Sequence, residues 1–332
     1  MHCELVVPGL FASPTAGRLP SIELLLARGR CVGEESQSVE GWLHDAFELG
    51  AEPLPAGALT LLGTNGEPGT QRWARADPVH LRLMRDRLIL VPGAALHLQR
   101  DEADALVEAL NRHFAPRLGL RVLDPERWVA ELGDELPIDA PSPLEAAGRD
   151  VGLGLQTGAG GSPLHQILNE AQMVLHEHPV NEAREARGEA PVNSIWLWGA
   201  GRAPQIESTH WQSLSASEPI ALGLARAAGL RHQSPPVSAG AWLERAPEDG
   251  RHLVLLDALR VPLALSETGQ YQEAIAALER DWFAPLLVAL REGRVGMVSI
   301  HVPDAAECLA YETIRGDLRR FWRRPKALEH YA

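Results

Sequence analysis

Residues 176–201 read HEHPVNEAREARGEAPVNSIWLWGAG, and this stretch joins the end of one helix to the start of a strand. Pro179 breaks the preceding helix, because a proline disfavours helical backbone in the residue before it. Ser194 to Trp198 is a short apolar run that Gly199 stops, which predicts a buried strand ending in a glycine turn. The stretch therefore predicts a helix, a turn and a strand in succession.

The two ends of the chain show the same alternation of strands and helices. Glu4 to Val7 predicts a short strand, and Leu19 to Gly29 predicts a helix with apolar residues at helical spacing. Gln270 to Leu290 predicts a second helix with a kink at Pro285, and Val295 to Val302 returns as a strand. Alternating units of this kind predict an α/β fold with a mostly parallel core sheet.

The middle of the chain predicts an α+β insertion into that core. Residues 53–69 are rich in Pro, Gly, Asn and Thr, which is typical of a turn-rich boundary. Beyond them, Trp73 to His80 and Arg87 to Val91 predict a hairpin, and Asp101 is expected to cap a helix. We therefore predict a core of residues 1–52 and 195–332 and an inserted region of residues 53–194.

Composition restricts the partners and the compartment. The chain has 332 residues and a formal net charge of -13, which disfavours nucleic acid and anionic membranes as partners. No stretch approaches the roughly 18 apolar residues that a membrane-spanning helix needs. Three cysteines without C-x-x-C spacing fit neither a disulfide framework nor a zinc site. We expect a soluble, cytoplasmic protein.

Residues 178–201 also concentrate groups that recognise anions. Arg184 and Arg187 lie three residues apart on one helical face, where two guanidinium groups can hold a carboxylate or phosphate. Compact donors and close backbone approach come from His178, Asn181, Asn193, Gly199 and Gly201. A ligand carrying phosphate and carboxylate would suit this set. The structural alternative is that His178 and Asn181 cap helices and that the arginines form a solvated face.

The order of these residues resembles a segment of the archaeal-type cofactor-independent phosphoglycerate mutases of the alkaline phosphatase superfamily. The resemblance is best over residues 165–230 and departs at Trp198, where those mutases tend to have an arginine. The run His178-Pro179-Val180-Asn181 and the Trp196-Leu197-Trp198-Gly199 turn are closer to bacterial mutase-like proteins of the regulation-of-pathogenicity-factor type. The fold implied by the resemblance is an alkaline-phosphatase-like α/β core.

Residues 73–80 resemble a strand of the same group of proteins. Arg75, Asp77 and His80 of this strand are expected to face the cleft between the core and the inserted region, and Arg75 and His80 are candidate ligand contacts. The structural alternative is that alternation along the strand leaves half of these residues facing solvent.

The resemblance implies a centre of two divalent metals and a phosphorylated serine, and this chain departs from both. The first ligand would be an aspartate after strand one, yet the chain reads Val7-Pro8-Gly9 there. Only Ser36 and Ser38 occupy the nucleophile region. The remaining candidates for vestigial metal ligands are Asp257, His301 and Asp304, which are too few for two metals.

Two other tracts carry weaker signals. The glycine-rich loop 152–161 meets neither Walker nor Rossmann spacing and is interpreted as a hinge rather than a phosphate loop. The tract from Arg315 to Lys326 combines six basic residues with Leu318, Phe321 and Trp322 at helical spacing. It predicts a terminal helix, either docked through its aromatic side chains or binding an anion or a partner.

These observations favour a phosphoglycerate-mutase-like protein with an eroded metal centre. We expect a regulatory protein, or one that binds a small phosphorylated or carboxylated metabolite or a protein partner, in a cleft next to residues 178–201. No cofactor is expected. The alternative is a divergent phosphoglycerate mutase or phosphatase, which would require divalent metal for phosphoryl transfer. The absent ligands weigh against catalysis.

Overall fold

The computed structural model describes residues 1–12, 17–32, 37–85, 87–133, 136–151, 163–246, 249–304 and 310–331. The chain divides into two compact units, Met1–Glu48 with Ile206–Ala332, and Leu49–Gln205. We call the first the core unit and the second the inserted unit. No helix of the described residues is long and apolar enough to cross a membrane.

The strands and helices follow the alternation that the sequence predicts. In the described residues the strands are β1 (His2–Val6), β2 (Arg30–Val32), β3 (Arg72–Met84), β4 (Arg87–Pro92), β5 (Gly119–Asp124), β6 (Arg127–Leu132), β7 (Ser194–Gly201), β8 (Ser213–Ser215), β9 (Arg231–Gln233), β10 (Arg251–Leu255), β11 (Met297–His301) and β12 (Ala310–Ile314). The helices there are α1 (Pro20–Arg28), α2 (Val39–Ala46), α3 (Ala56–Gly63), α4 (Arg100–Phe114), α5 (Pro143–Ala146), α6 (Pro163–His176), α7 (Pro179–Ala186), α8 (Pro219–Ala227), α9 (Ala239–Leu243), α10 (Arg260–Ala264), α11 (Thr268–Leu278) and α12 (Ala284–Glu292).

A seven-stranded sheet forms the centre of the core unit, in the order β2-β12-β11-β1-β10-β8-β9. The five strands from β11 to β9 run parallel, whereas β12 and β2 are antiparallel additions at one edge. Parallel neighbours require crossover connections, and helices supply them here. The predicted α/β fold class with a mostly parallel core sheet is confirmed.

One face of this sheet carries the main apolar core. Alternate residues of β1, Cys3 and Leu5, pack with Tyr271 and Ile275 of α11 and with Leu286 of α12 in one buried cluster. The alternation of a strand and the 3.6-residue period of a helix present these side chains to each other. Each fully buried large apolar side chain contributes about 1.5–3 kcal/mol.

The predicted kink near Pro285 takes the form of a π-helical turn, Glu279–Phe283, between α11 and α12. This turn points the Glu279 carboxylate at the first turn of α1, where it accepts hydrogen bonds from the backbone N–H of Ser21 (2.8 Å) and Ile22 (3.0 Å). No side-chain cap is provided by the residue before α1. A distant carboxylate therefore caps this helix, and its charge suits the helix N-terminus.

The inserted unit is built on a five-stranded antiparallel sheet. β3 pairs with β4 and β6 along one edge and with β7 along the other, and β5 extends the sheet beyond β6. One face packs against α4 and α6 in a buried cluster that includes Leu106, Phe114, Leu168 and Trp128. The predicted hairpin and α+β character of this region are confirmed.

Three expectations need correction. Ser194–Gly201 is a strand, as predicted, but it pairs with β3 in the inserted unit and not with the core sheet, so the predicted boundary at residue 195 assigns it to the wrong sheet. The tract 315–326 is not one helix: it holds only a 3-10 turn, Arg315–Arg319, whose start is capped by Asp317, which accepts a hydrogen bond from the Ile314 N–H. Cys31 is disulfide-bonded, contrary to the reading of the cysteines, whereas Cys3 is free and buried.

Candidate functional site

The carboxyl edge of the core sheet is the first place to look for a site, because ligands of open α/β folds bind in the crevice outside the strand ends. The loops that leave β1, β8, β10 and β11 meet this edge through their parallel pairing. They carry Gly9, Ser217, Asp257 and Asp304. Two of the predicted vestigial ligands, Asp257 and Asp304, therefore lie at the expected edge.

The carboxylate of Asp304 is hydrogen-bonded to the loop that follows β1. Both of its carboxylate oxygens accept a hydrogen bond from the Gly9 backbone N–H, at 3.0 Å each. Gly9 has φ +79°, which glycine adopts without strain. The Tyr271 hydroxyl donates to the Gly9 carbonyl at 2.8 Å. These hydrogen bonds fix the loop that carries Pro8, the position at which the resemblance implies a carboxylate.

The carboxylate of Asp257 is also hydrogen-bonded to another residue of the chain. Its carboxylate accepts a hydrogen bond from the Ser217 hydroxyl at 2.9 Å. Three residues further on, the Arg260 guanidinium forms a 2.7 Å ion pair with Glu40 of α2, and both side chains are largely buried. Burial lowers the pKa of Arg260, but the charges of Glu40, Glu218 and Asp257 outweigh burial and raise this pKa above its usual range. Arg260 is therefore a permanent positive charge among three carboxylates.

His301, the third predicted ligand, faces a different group. Its Nε2 lies 3.8 Å from the carboxylate of Glu4, a side chain that is only 2% exposed. The Arg251 Nε donates to the same carboxylate at 2.5 Å. Burial raises the pKa of Glu4, but the hydrogen bond from Arg251 and the charges of His2 and Arg251 more than compensate, so this pKa lies below its usual range. This is an ion cluster on the sheet face.

The residues at this edge do not fit a two-metal centre. Within the part of the chain that the structure describes, no group of three or more His, Cys, Asp or Glu side chains is arranged to hold a metal ion. Two metals about 3.5–4 Å apart need several shared carboxylates or imidazoles. Ser38, one candidate for the nucleophile, caps α2 by accepting a hydrogen bond from Gly41 N–H at 3.0 Å. Ser36 and the loop 152–161 lie outside the described residues.

The two arginines that were predicted to hold an anionic ligand both contact a carboxylate of the same chain. Arg184 donates to one oxygen of Glu102 at 2.7 Å, and Arg187 donates to the other at 2.6 Å. Arg184 is only 1% exposed and also donates to the carbonyls of Ala190 and Leu96. Burial raises the pKa of Glu102, but hydrogen bonds from Gln99, Arg187 and Arg184 outweigh it and bring the pKa below its usual range.

The other donors predicted for this segment are also used internally. Asn181 is buried, donates to the carbonyls of Leu175 and Val192, and accepts from the Val192 N–H. Asn193 exchanges two hydrogen bonds with the Leu81 backbone. Asn181 therefore has a structural role, as the alternative proposed. The side chain bridges two segments, however, and does not cap a helix.

Both predicted histidines make backbone contacts. His178 is the N-cap of α7, and its Nδ1 accepts from the Val180 N–H at 3.2 Å. Burial, with the charge of Arg112, lowers the pKa of His178, which favours the neutral ring that can accept this bond. The Nδ1 of His80 donates to the Pro191 carbonyl at 2.9 Å. Each ring thus serves the local backbone.

The strand that carries Arg75 buries a second ion pair. Arg75 donates to Asp77 at 2.7 and 3.0 Å, and the Trp198 indole donates to the other oxygen of Asp77 at 2.7 Å. The side chains of Arg75 and Asp77 are both buried, so neither is the solvent-facing residue that the structural alternative allowed. Trp198 therefore supplies a neutral donor to a buried carboxylate.

The two glycines of the segment do permit close approach, to another part of the same unit. A Cβ on Gly199, which has φ +57°, would lie 2.3 Å from the Cβ of Ala56 at the start of α3. A Cβ on Gly201 would lie 2.6 Å from Pro55. These glycines therefore let α3 pack on β7.

The structure thus brings together Arg184, Arg187 and the unpredicted Glu102 in one cluster, and Arg75 with Asp77 and Trp198 in another. Sequence reasoning missed Glu102, Glu40 and Arg260. Glu102 is the third residue of a helix whose N-terminus was recognised, but nothing in the sequence near it indicates a partner 82 residues away. Glu40 and Arg260 are separated by 220 residues and carry no motif.

Comparisons with known proteins support the resemblance. No family model matches the chain. A probable 2,3-bisphosphoglycerate-independent phosphoglycerate mutase of Geobacter sulfurreducens is 28% identical over 237 residues, covering 65% of this chain and 57% of that protein. The 2,3-bisphosphoglycerate-independent phosphoglycerate mutase of Methanosarcina acetivorans is 32% identical over 221 residues, covering 58% of this chain and 51% of that protein. The chain spans little more than half the length of these relatives.

The fold has a counterpart among solved structures. The PH0037 protein of Pyrococcus horikoshii superimposes with a TM-score of 0.55 at 16% identity, covering 94% of this chain and 86% of that one. An identity this low supports the fold alone. Together with the sequence relatives, the fold defines a phosphoglycerate-mutase-like α/β protein. The chain is similar in sequence to proteins named as 2,3-bisphosphoglycerate-independent phosphoglycerate mutases, which fits the resemblance that its sequence indicated.

Proposed function

We propose that this chain is a phosphoglycerate-mutase-like protein that has lost its metal centre and acts by binding, as a regulatory protein, and not by phosphoryl transfer. The observation that carries the proposal is Arg260, which forms a 2.7 Å ion pair with Glu40 at the carboxyl edge of the core sheet and is also stabilised by the charges of Glu218 and Asp257. A covalently attached cation thus lies at the edge where the resemblance implies a metal centre. The ligand class that we propose is a small phosphorylated or carboxylated metabolite or a protein partner.

Electrostatics at this edge support the proposal. Phosphoryl transfer in a two-metal site depends on two divalent metal ions, which carry four positive charges in total and stabilise the attacking and leaving oxygens. Here Asp304 is satisfied by a backbone N–H, Asp257 by a hydroxyl and Glu40 by a guanidinium. A metal entering this edge would have to displace each of these donors. A single guanidinium also cannot activate a nucleophile by coordinating it.

The contacts of residues 178–201 bear on where such a ligand would bind. Arg184 and Arg187 already share the Glu102 carboxylate, so an anionic ligand would have to replace Glu102 to use them. The partly exposed Arg187 is the more accessible of the two. Binding at this segment remains a prediction, and its residues have a structural role in either case.

A turnover assay tests the loss of catalysis. The purified chain is incubated with 3-phosphoglycerate, with and without added Mn²⁺, and the Methanosarcina acetivorans relative is assayed in parallel. We expect no formation of 2-phosphoglycerate above the protein-free rate in either condition, because among the residues that the structure describes no group at the carboxyl edge is arranged to hold a metal ion. Turnover that depends on Mn²⁺ would contradict the proposal and favour the alternative, a divergent mutase or phosphatase.

A further inference from the structure

A pocket in the core unit is lined by the end of α1, by β2 and β12 and by the segment 322–331. Its volume of about 780 Å³ lies within the range of small-molecule sites, roughly 300–1,000 Å³. None of its described lining residues is acidic, and four carry a permanent positive charge: Arg30, Arg323, Arg324 and Lys326. A basic pocket is unexpected in a chain with a net charge of -13.

Some arginines near the pocket have a structural task, which is to hold the C-terminal segment in place. Arg28 donates to the carbonyls of Arg323 and Leu318, at 2.8 Å each. In return, Arg323 donates to the Gly29 carbonyl at 2.7 Å and Arg320 to the Arg28 carbonyl at 3.2 Å. Leu328 is buried in the core cluster below. The segment therefore has a defined position, and the pocket that it lines is preformed.

The other basic side chains of the pocket differ in whether a carboxylate neutralises their charge. Arg30 forms a 2.6 Å ion pair with Glu312. The side chains of Arg324 and Lys326 form no hydrogen bond or ion pair with any residue that the structure describes. Two long basic side chains at one pocket, without a carboxylate partner among those residues, are available to an anion. A guanidinium and an ammonium are the common protein ligands of phosphate.

Aromatic rings form the other part of the pocket wall. Tyr311 and Tyr331 contact each other, with ring centroids 6.0 Å apart. Trp322 lines the pocket while remaining 66% exposed, and its ring contacts the Phe321 ring edge to face, with centroids 5.3 Å apart. An indole left this exposed offers a face for a flat ring, and stacking on it is worth about 1–3 kcal/mol.

We propose that this pocket binds a small ligand that carries a phosphate group and a flat ring, the chemistry of a nucleoside phosphate. Arg324 and Lys326 hold the phosphate, and Trp322 stacks on the ring. The negative net charge does not prevent this, because at physiological salt charges more than about 8 Å away are largely screened. The site is distinct from the carboxyl edge of the sheet, so it does not depend on the proposed loss of the metal centre.

Calorimetric titration of the full chain with ADP tests the proposal, with adenosine and inorganic phosphate as separate probes. We expect saturable ADP binding at one site per chain. Binding of adenosine and of phosphate should each be at least about tenfold weaker, since each probe lacks one of the two contacts. Raising the salt concentration should weaken ADP binding. Absence of saturable ADP binding, or equal affinity for either part alone, would overturn the proposal.

Matched variants distinguish the pocket from general basic charge. The double variant Arg324→Ala/Lys326→Ala should raise the Kd for ADP at least about tenfold, whereas Arg315→Ala/Arg319→Ala, with the same charge change outside the pocket lining, should change it less than about twofold. Trp322→Ala should weaken ADP binding about tenfold and leave phosphate binding unchanged, with Phe321→Ala as its control. If both double variants bind ADP alike, or Trp322→Ala binds it normally, the assignment is wrong.

Discussion

The guanidinium of Arg184 is surrounded by acceptors of its own chain: the carboxylate of Glu102 and the carbonyls of Ala190 and Leu96. The planar fork of arginine meets all three at once, which a lysine cannot do. Arg184 therefore links α7 to α4 and to the loop before α4. Its chemistry, bidentate recognition of a carboxylate, was legible in the sequence, but the identity of that carboxylate was not.

Arg184→Ala should lower the free energy of unfolding by about 3–5 kcal/mol, because it leaves Glu102 and two carbonyls without their buried partner. Arg187→Ala removes the second ligand of the same carboxylate from a site that is 49% exposed, and should cost less than about 1 kcal/mol. Urea-induced unfolding of both variants and the parent measures the difference. Equal losses, or an Arg184→Ala protein as stable as the parent, would contradict the structural role of Arg184 and favour its role as a ligand contact.

At the scale of elements, the glycine turn at the end of β7 determines how α3 lies on the sheet of the inserted unit. Gly199 combines a left-handed φ of +57° with contact against Ala56 at the first residue of α3. The sequence indicated that backbone approaches something closely at this turn. What approaches is a helix of the same unit, and the glycine is therefore needed for packing.

Gly199→Ala should destabilise the protein by more than about 2 kcal/mol, since it adds overpacking against Ala56 to the strain of positive φ. Gly188 is a matched control: it has φ +76°, and a Cβ there would meet nothing within 4 Å. Gly188→Ala should therefore cost only the backbone strain, about 1 kcal/mol. Thermal unfolding of the two variants compares them, and a Gly199→Ala variant no less stable than Gly188→Ala would refute the packing role.

Elements were predictable where local periodicity determines them. The apolar spacing of 20–28, 163–176 and 268–278 gives α1, α6 and α11, and the hairpin of β3 and β4 follows from its alternation. The sheet to which β7 belongs was not predictable, since a short apolar strand is equally suited to either sheet. The tract 315–326 has helical spacing, yet Asp317 caps a short turn by bonding the Ile314 N–H. Arg320 and Arg323 donate to the carbonyls of Arg28 and Gly29 at the end of α1.

At the scale of the whole molecule, the sequence similarity and the fold indicate the same class of protein. The described residues at the carboxyl edge of the core sheet differ from the metal ligands that the resemblance implies. The parallel core with an α+β insertion was predictable because its alternation recurs at both ends of the chain. The pairing of Arg260 with Glu40 was not, because only the folded sheet brings residues 220 positions apart together. Pro8, by contrast, is visible in the sequence as a departure from the first metal ligand that the resemblance implies.

The central claim is the proposal that the carboxyl edge of the core sheet carries its own cation, Arg260, and that its described residues do not form a site for two metals. Calorimetric titration of the purified, metal-stripped chain with Mn²⁺ tests this most directly. The account predicts no saturable binding, because Asp257, Asp304 and Glu40 are each held by a donor of the chain. Saturation at about two ions per chain, the stoichiometry of a two-metal site, would contradict it.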